Sequence, residues 1–294
     1  MRAEAGAPII AILGLAGAAV AVAMTRTRHH GVLRAGLLVF AWTAAATLAL
    51  VVPDYRVLVG VAYAPLFVIG APFGWPPGSF FDVITWPLVN QFLCIAGGLA
   101  WSAAAVSYQR RSRNACANRG RTGVISDWTK PATAARWAKW AVSVAVIIPI
   151  LYAATRWAWA LGVPLGISEE LYREGEEVGL WWSGAGLATV AVGGAVLTLG
   201  LIQRWGEVFP RWLPFLAGKR VPIWLAVIPA SLVAVIVTKA GLMFVRLTLL
   251  GTVGDVFIFI DKEDWAALAP ELLWPLWGVA LAAATLAYYF RRRG

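Results

Sequence analysis

Four cations in or beside apolar stretches are the residues best placed to do chemistry in this chain. Lys239 lies within VIVTKAGLMFVR, and Arg246 follows seven residues later, near the same helical face. Arg56 follows ALVVPDY, and Arg156 follows ILYAAT, so each stands at the far end of a comparable run. Counted from Pro222, Lys239 is roughly 25 Å along its helix, in the outer third of a hydrocarbon core about 30 Å thick. A lysine there costs about 2.5–3.5 kcal/mol on insertion scales, so it takes a partner or a water-filled cavity. Asp54, Glu169 and Glu170 are the nearest candidate partners, with Glu174, Glu176, Glu177, Asp255, Asp261, Glu263 and Asp264 in the same outer stretches. Together these groups would form a polar vestibule that binds an anionic group or passes protons or ions. On a lipid-linked anion the cations would act as phosphate clamps, with Glu169 or Glu170 as the base. The competing reading is that the cations snorkel to the headgroups and bind nothing.

Other chemistries lack their residues. His29 and His30 are the only histidines, adjacent in one short segment, which makes neither a haem pair across helices nor a zinc site. Cys94 lies in an apolar run and Cys116 in a basic one, which suggests no disulfide. There is no HExxH, phosphate loop or nucleophile elbow. No pair of acids sits deep in an apolar run. The sequence therefore predicts no catalytic constellation, no metal and no cofactor.

The elements that position these residues are membrane spans. Hydrophobic residues make up 60% of the chain and charged ones 14%, against about a quarter charged in a soluble domain. Apolar runs at 8–24, 32–52, 86–108, 138–161, 181–202, 223–245 and 270–290 are each long enough to cross a bilayer. The fold class expected is all-α, a polytopic bundle forming one transmembrane domain over 1–294. An eighth run, 56–72, is short, holds Pro65 and Pro72, and reads as re-entrant, interfacial or an extra span. With seven spans and the N-terminus outside, the inner segments 25–34, 109–139, 203–222 and 291–293 hold 18 of the 25 basic residues. Their only acids are Asp127 and Glu207. The positive-inside bias therefore places the C-terminus in the cytoplasm, and the apolar start at Met1 reads as a retained span rather than a signal peptide.

Most of the 17 tryptophans fall near run ends, as headgroup anchors should. Trp128, Trp137, Trp140, Trp205, Trp212 and Trp224 mark the inner side, and Trp75, Trp86, Trp157, Trp159, Trp181, Trp182, Trp265, Trp274 and Trp277 the outer. Three in–out–in hairpins share a layout of basic start, outer cation and small-residue return helix, which reads either as a parallel repeat or as any hairpin obeying membrane rules. The return helices carry Ala96, Ala100 and Ala104; Ala185, Thr189 and Gly193; Gly278 and Ala282. These stripes read as packing faces. Pro149 and Pro229 fall inside outward helices and should kink them locally.

The segment 167–181 reads as a surface helix or an extension of the following span, with Ser168 a candidate N-cap and Gly175 a candidate breaker. RWGEVFPRWLPFLAGKR at 204–220 should lie along the cytoplasmic interface, aromatic groups in the headgroups and cations near anionic lipid. The basic loop 109–139 needs only lipid as its partner, not nucleic acid. A membrane-protein partner or a second copy remains open. Seven helices invite comparison with microbial rhodopsins, but the run 270–290 holds no lysine for retinal. RWGEVFPRWLPFLAGKRVP, RWAWALGVPLGISEE and an arginine-to-lysine ratio of 20 to 5 resemble uncharacterised multi-pass membrane proteins of high-GC actinobacteria, over residues 150–294. That resemblance implies a bacterial plasma membrane and no activity. The expectation is a non-enzymatic scaffold or accessory protein of the envelope. A transporter or sensor with an outer polar site, and an enzyme on a lipid-linked anion, are the alternatives.

Overall fold

In a computed structural model, residues 3–26, 31–53, 85–112, 130–212, 214–251 and 264–293 are described, together with isolated positions 57, 60 and 72. The helices are α1 (Ala3–Arg26), α2 (Gly31–Ala46), α3 (Trp86–Ser112), α4 (Pro131–Ala160), α5 (Glu169–Glu177), α6 (Leu180–Leu199), α7 (Ile223–Leu250), α8 (Trp265–Leu272) and α9 (Trp274–Arg293). No strand occurs among the described residues; Val208 and Arg220 form one isolated antiparallel bridge. Among the described residues, six stretches are long and apolar enough to cross a membrane: Gly31–Val51, Trp86–Ser112, Pro131–Ala160, Leu180–Leu199, Ile223–Leu250 and Trp265–Arg292. They coincide with six of the seven apolar runs, and the run 8–24 falls within α1. Nearly all of 56–72 lies outside the described residues.

The chain divides into two compact units, residues 1–52 with 93–125, and 53–92 with 126–294. In the first, Met24, Ala41, Ala105 and Tyr108 are buried together. The approach of α2 and α3 is tight at Gly98, where a Cβ would lie 2.8 Å from the Ala45 carbonyl and the Ala49 Cβ. The end of α1 leaves carbonyls without intrahelical partners. Arg111 donates to those of Met24 and Thr25, at 3.1 and 3.4 Å. Helix α2 loosens into a π turn at Thr47–Val51, just before Pro53, which has no N–H to continue it.

In the second unit α4 packs on α6 and on α9, and α9 packs on α7. The shared core holds Val142, Ile148, Tyr152, Val237, Trp277 and Tyr288 among others. Pro131 opens α4, where its missing N–H costs nothing. Gly251, at φ 66°, closes α7 in the left-handed conformation. Pro149 is buried within α4, and the helix runs through it.

The small-residue seams fall only partly where the stripes put them. At Gly278 a Cβ would sit 2.0 Å from Thr238 Oγ1 and 2.6 Å from the Ala234 carbonyl, so this glycine lets α9 meet α7. Ala282, Ala96, Ala100, Thr189 and Gly193 are exposed instead. The buried face of α6 is Trp181, Ala188, Ala195 and Thr198, and that of α3 includes Gln91, Ile95, Ala105 and Tyr108. These helices are apolar all round, so small residues on several faces are equally compatible with the sequence.

Candidate functional site

Near the end of α4, the Arg156 side chain turns into the unit rather than out to headgroups. Its guanidinium stacks over Tyr152 and Trp159, 4.8 and 4.3 Å from the ring centroids. These residues are four before it and three after it, so one helical face supplies both rings. The guanidinium donates to the carbonyls of Ala266 and Ala267, at 3.3 and 3.4 Å. It also ion-pairs with Glu271, near the junction of α8 and α9. Glu271 is 4% exposed, so the pair sits in a medium where either charge alone would be costly.

The junction exists because Pro270 and Pro275 interrupt a continuous helix, with Leu273 between them. Around it, Trp274 meets Tyr152 and Phe244 edge-on, each at 5.7 Å. Three buried polar atoms, Glu271 Oε2 and the indole nitrogens of Trp274 and Trp277, have no hydrogen-bond partner among the described residues.

The chain after α4 folds back over this clasp. Ser168 caps α5, its hydroxyl accepting from the Leu171 amide at 3.3 Å, as its sequence position predicts. Asp264 is 1% exposed and accepts from the Ser168 amide at 2.7 Å. Gly166 accepts from the Ala266 amide. Gly175 does not break α5. A Cβ there would lie 2.2 Å from the Trp181 ring, so the glycine makes room for the indole. That indole donates to the Tyr172 carbonyl at 3.0 Å, and the Trp159 indole to that of Leu165 at 2.9 Å. Trp159, Trp181, Trp274 and Trp277 are therefore core residues, not headgroup anchors. Trp86, Trp182 and Trp265 remain exposed, as an aromatic belt would be.

Of the candidate site residues that are described, Arg156 joins this cluster. Glu169 and Glu170 are exposed in the first turn of α5, and Arg156 pairs with neither. Lys239 is half-buried on α7, and Arg246 is exposed. Asp54 and Arg56 lie outside the described residues. The partner that matters is Glu271, which the sequence reading leaves out of its candidates. Its signal was available, since Glu271 is an acid within the run 270–290 and intramembrane acids ask for a partner. Among the described residues, no three histidine, cysteine or carboxylate groups gather where a metal could bind.

At the other end of α9, a second lock forms. Arg291 ion-pairs with Glu207 and donates to the Leu201 carbonyl at 3.0 Å. Arg292 donates to the carbonyls of Glu207 and Val221, at 3.0 and 2.7 Å. The Tyr288 hydroxyl donates to the Gly206 carbonyl at 2.8 Å. The segment 204–222 is thus tied to α9, and Phe209 and Lys219 are joined by a backbone hydrogen bond across it. Trp212 and Phe215 stay exposed.

No protein-family model, curated protein or solved structure matches this chain. What its helices define is a class: a multi-pass helical membrane protein.

Proposed function

We propose that this is a non-enzymatic scaffold or accessory protein of a bacterial plasma membrane, with seven spans, an outer N-terminus and a cytoplasmic C-terminus. The observation that carries the non-enzymatic reading is the fate of Arg156. The Arg156 cation spends its charge on Glu271 and two backbone carbonyls. A guanidinium so occupied is a structural clasp and not an open anion clamp. The division of basic residues supports the threading, since the inner segments hold 18 of 25. Those segments would face anionic headgroups.

A second reading, a small-solute or ion site for transport or sensing, is favoured by the three unpartnered polar atoms of Glu271, Trp274 and Trp277. Buried polar groups ordinarily have a partner, so a polar solute or a proton has somewhere to bind. The enzyme reading is weakest, because the exposed Glu169 and Glu170 are not joined to Arg156.

The deciding experiment is complementation of a deletion strain with the paired substitution Arg156→Leu and Glu271→Leu. A clasp can be replaced by apolar packing, so a scaffold should fold and restore the phenotype. A well-folded pair variant that fails to complement would overturn the scaffold reading in favour of the second.

A further inference from the structure

Helices α6 and α7 are not closely packed on each other in the second unit. Between them lies a cavity of about 900 Å³, walled by Gly194 and Leu197 of α6 and Ala226 and Ala230 of α7, and floored by Trp205 and Phe209. That is at the upper end of the size of ligand sites, about 300–1,000 Å³. The wall is apolar. Its one α6 hydroxyl, Thr198, donates to the Gly194 carbonyl at 2.8 Å and so offers the cavity no donor.

The floor belongs to a cationic segment. Arg204 adjoins Trp205, and Arg211 lies between Pro210 and Trp212, all of them lining residues except the arginines themselves. Arg204, Arg211, Lys219 and Arg220 are exposed, and none forms an ion pair among the described residues. The segment's only acid, Glu207, is taken up by Arg291. An apolar slot next to cations with no acid to answer them is complementary to one kind of occupant, an anion carrying a long hydrocarbon chain.

We infer that this cavity is a selective site for an anionic glycerophospholipid, with one acyl chain between α6 and α7 and the phosphate held by Arg204 and Arg211. A zwitterionic lipid brings its own ammonium beside its phosphate and so answers the cations with no net charge, and a soluble anion would leave the slot unfilled. The inference rests on the chain lying in a bilayer and not on the protein being a scaffold.

Gly194 gives a clean test. A Cβ there meets nothing within 4 Å, so Gly194→Phe projects into open space without displacing backbone. The full chain, purified in detergent, would be titrated with dioleoyl phosphatidylglycerol and with dioleoyl phosphatidylcholine, and bound lipid counted by native mass spectrometry. Phosphatidylglycerol should bind at least about 5-fold more tightly. Gly194→Phe should abolish that retention. The paired substitution Arg204→Gln and Arg211→Gln, at exposed positions, should reduce phosphatidylglycerol to the level of phosphatidylcholine and leave the latter unchanged. Millimolar inorganic phosphate should displace neither lipid. Equal retention of the two lipids by the unaltered chain, or full retention by Gly194→Phe, would overturn the site. Displacement by inorganic phosphate would also overturn it, by showing a headgroup site without a chain slot. Recovery of the chain in the soluble fraction without detergent would instead sink the membrane reading itself.

Discussion

The Arg156–Glu271 pair makes sharp predictions about single atoms. Removing one member leaves the other charged and buried, which costs about 3–5 kcal/mol. Arg156→Gln and Glu271→Gln should therefore each lower the unfolding midpoint in detergent substantially. The double variant should be less destabilised than the two singles added together, because no orphan charge remains. Strict additivity in that cycle would mean the two side chains do not act as a pair. The rings of Tyr152 and Trp159 add a smaller contribution, so Trp159→Leu should cost less than Glu271→Gln. The position of Arg156 was legible in the sequence, as a cation closing an outward helix. Its partner was harder to pick out, because the pairing spans 115 positions and ten other outer acids were nearer the expected rim.

At the scale of helices, apolar length located six spans closely, since a backbone that must satisfy itself in hydrocarbon has little choice but to coil. Their ends were less legible. Helix α4 begins at Pro131, seven residues before the apolar run at 138, and α7 continues past Arg246 to Leu250. Charged residues end hydrophobicity without ending a helix. Which face is buried was the least legible feature, as Ala282 and Gly193 illustrate: both are small, and both are exposed. The contrast between two glycines follows. Gly278→Leu would drive carbon into Thr238 and the Ala234 carbonyl and should destabilise by about 1–3 kcal/mol or more. Gly194→Ala meets open space and should be neutral or slightly stabilising, through the better helix propensity of alanine. Equal midpoints for these two variants, measured by thermal unfolding in one detergent, would contradict the assigned α7–α9 seam.

For the molecule as a whole, threading is the prediction that matters. A reporter fused after Gly294 should be active only in the cytoplasm, and a protease added outside intact cells should not reach it. Cleavage from outside would invert the assignment and put Arg204 and Arg211 on the wrong face. The lower lock has its own global readout. Arg291→Gln with Arg292→Gln removes the ties between α9 and the segment 204–222. Trypsin should then cut at Arg211 or Lys219 in inside-out vesicles faster than in the unaltered chain. An unchanged cleavage rate would show that the segment is held by its own hairpin and by lipid alone.

The two locks also impose an order on biogenesis. Arg156 finds its acid only when residue 271 exists, and Glu207 its arginine only when residue 291 does. A nascent chain that has delivered α4 through α7 to the bilayer thus carries an unmatched cation near one surface and an unmatched carboxylate near the other. Insertion of α8 and α9, which carry Glu271 and Arg291, neutralises both. Until the ribosome has made those two helices, the earlier ones are exposed to whatever chaperone or membrane protease surveys half-built proteins, and a stop codon before 271 would leave them there.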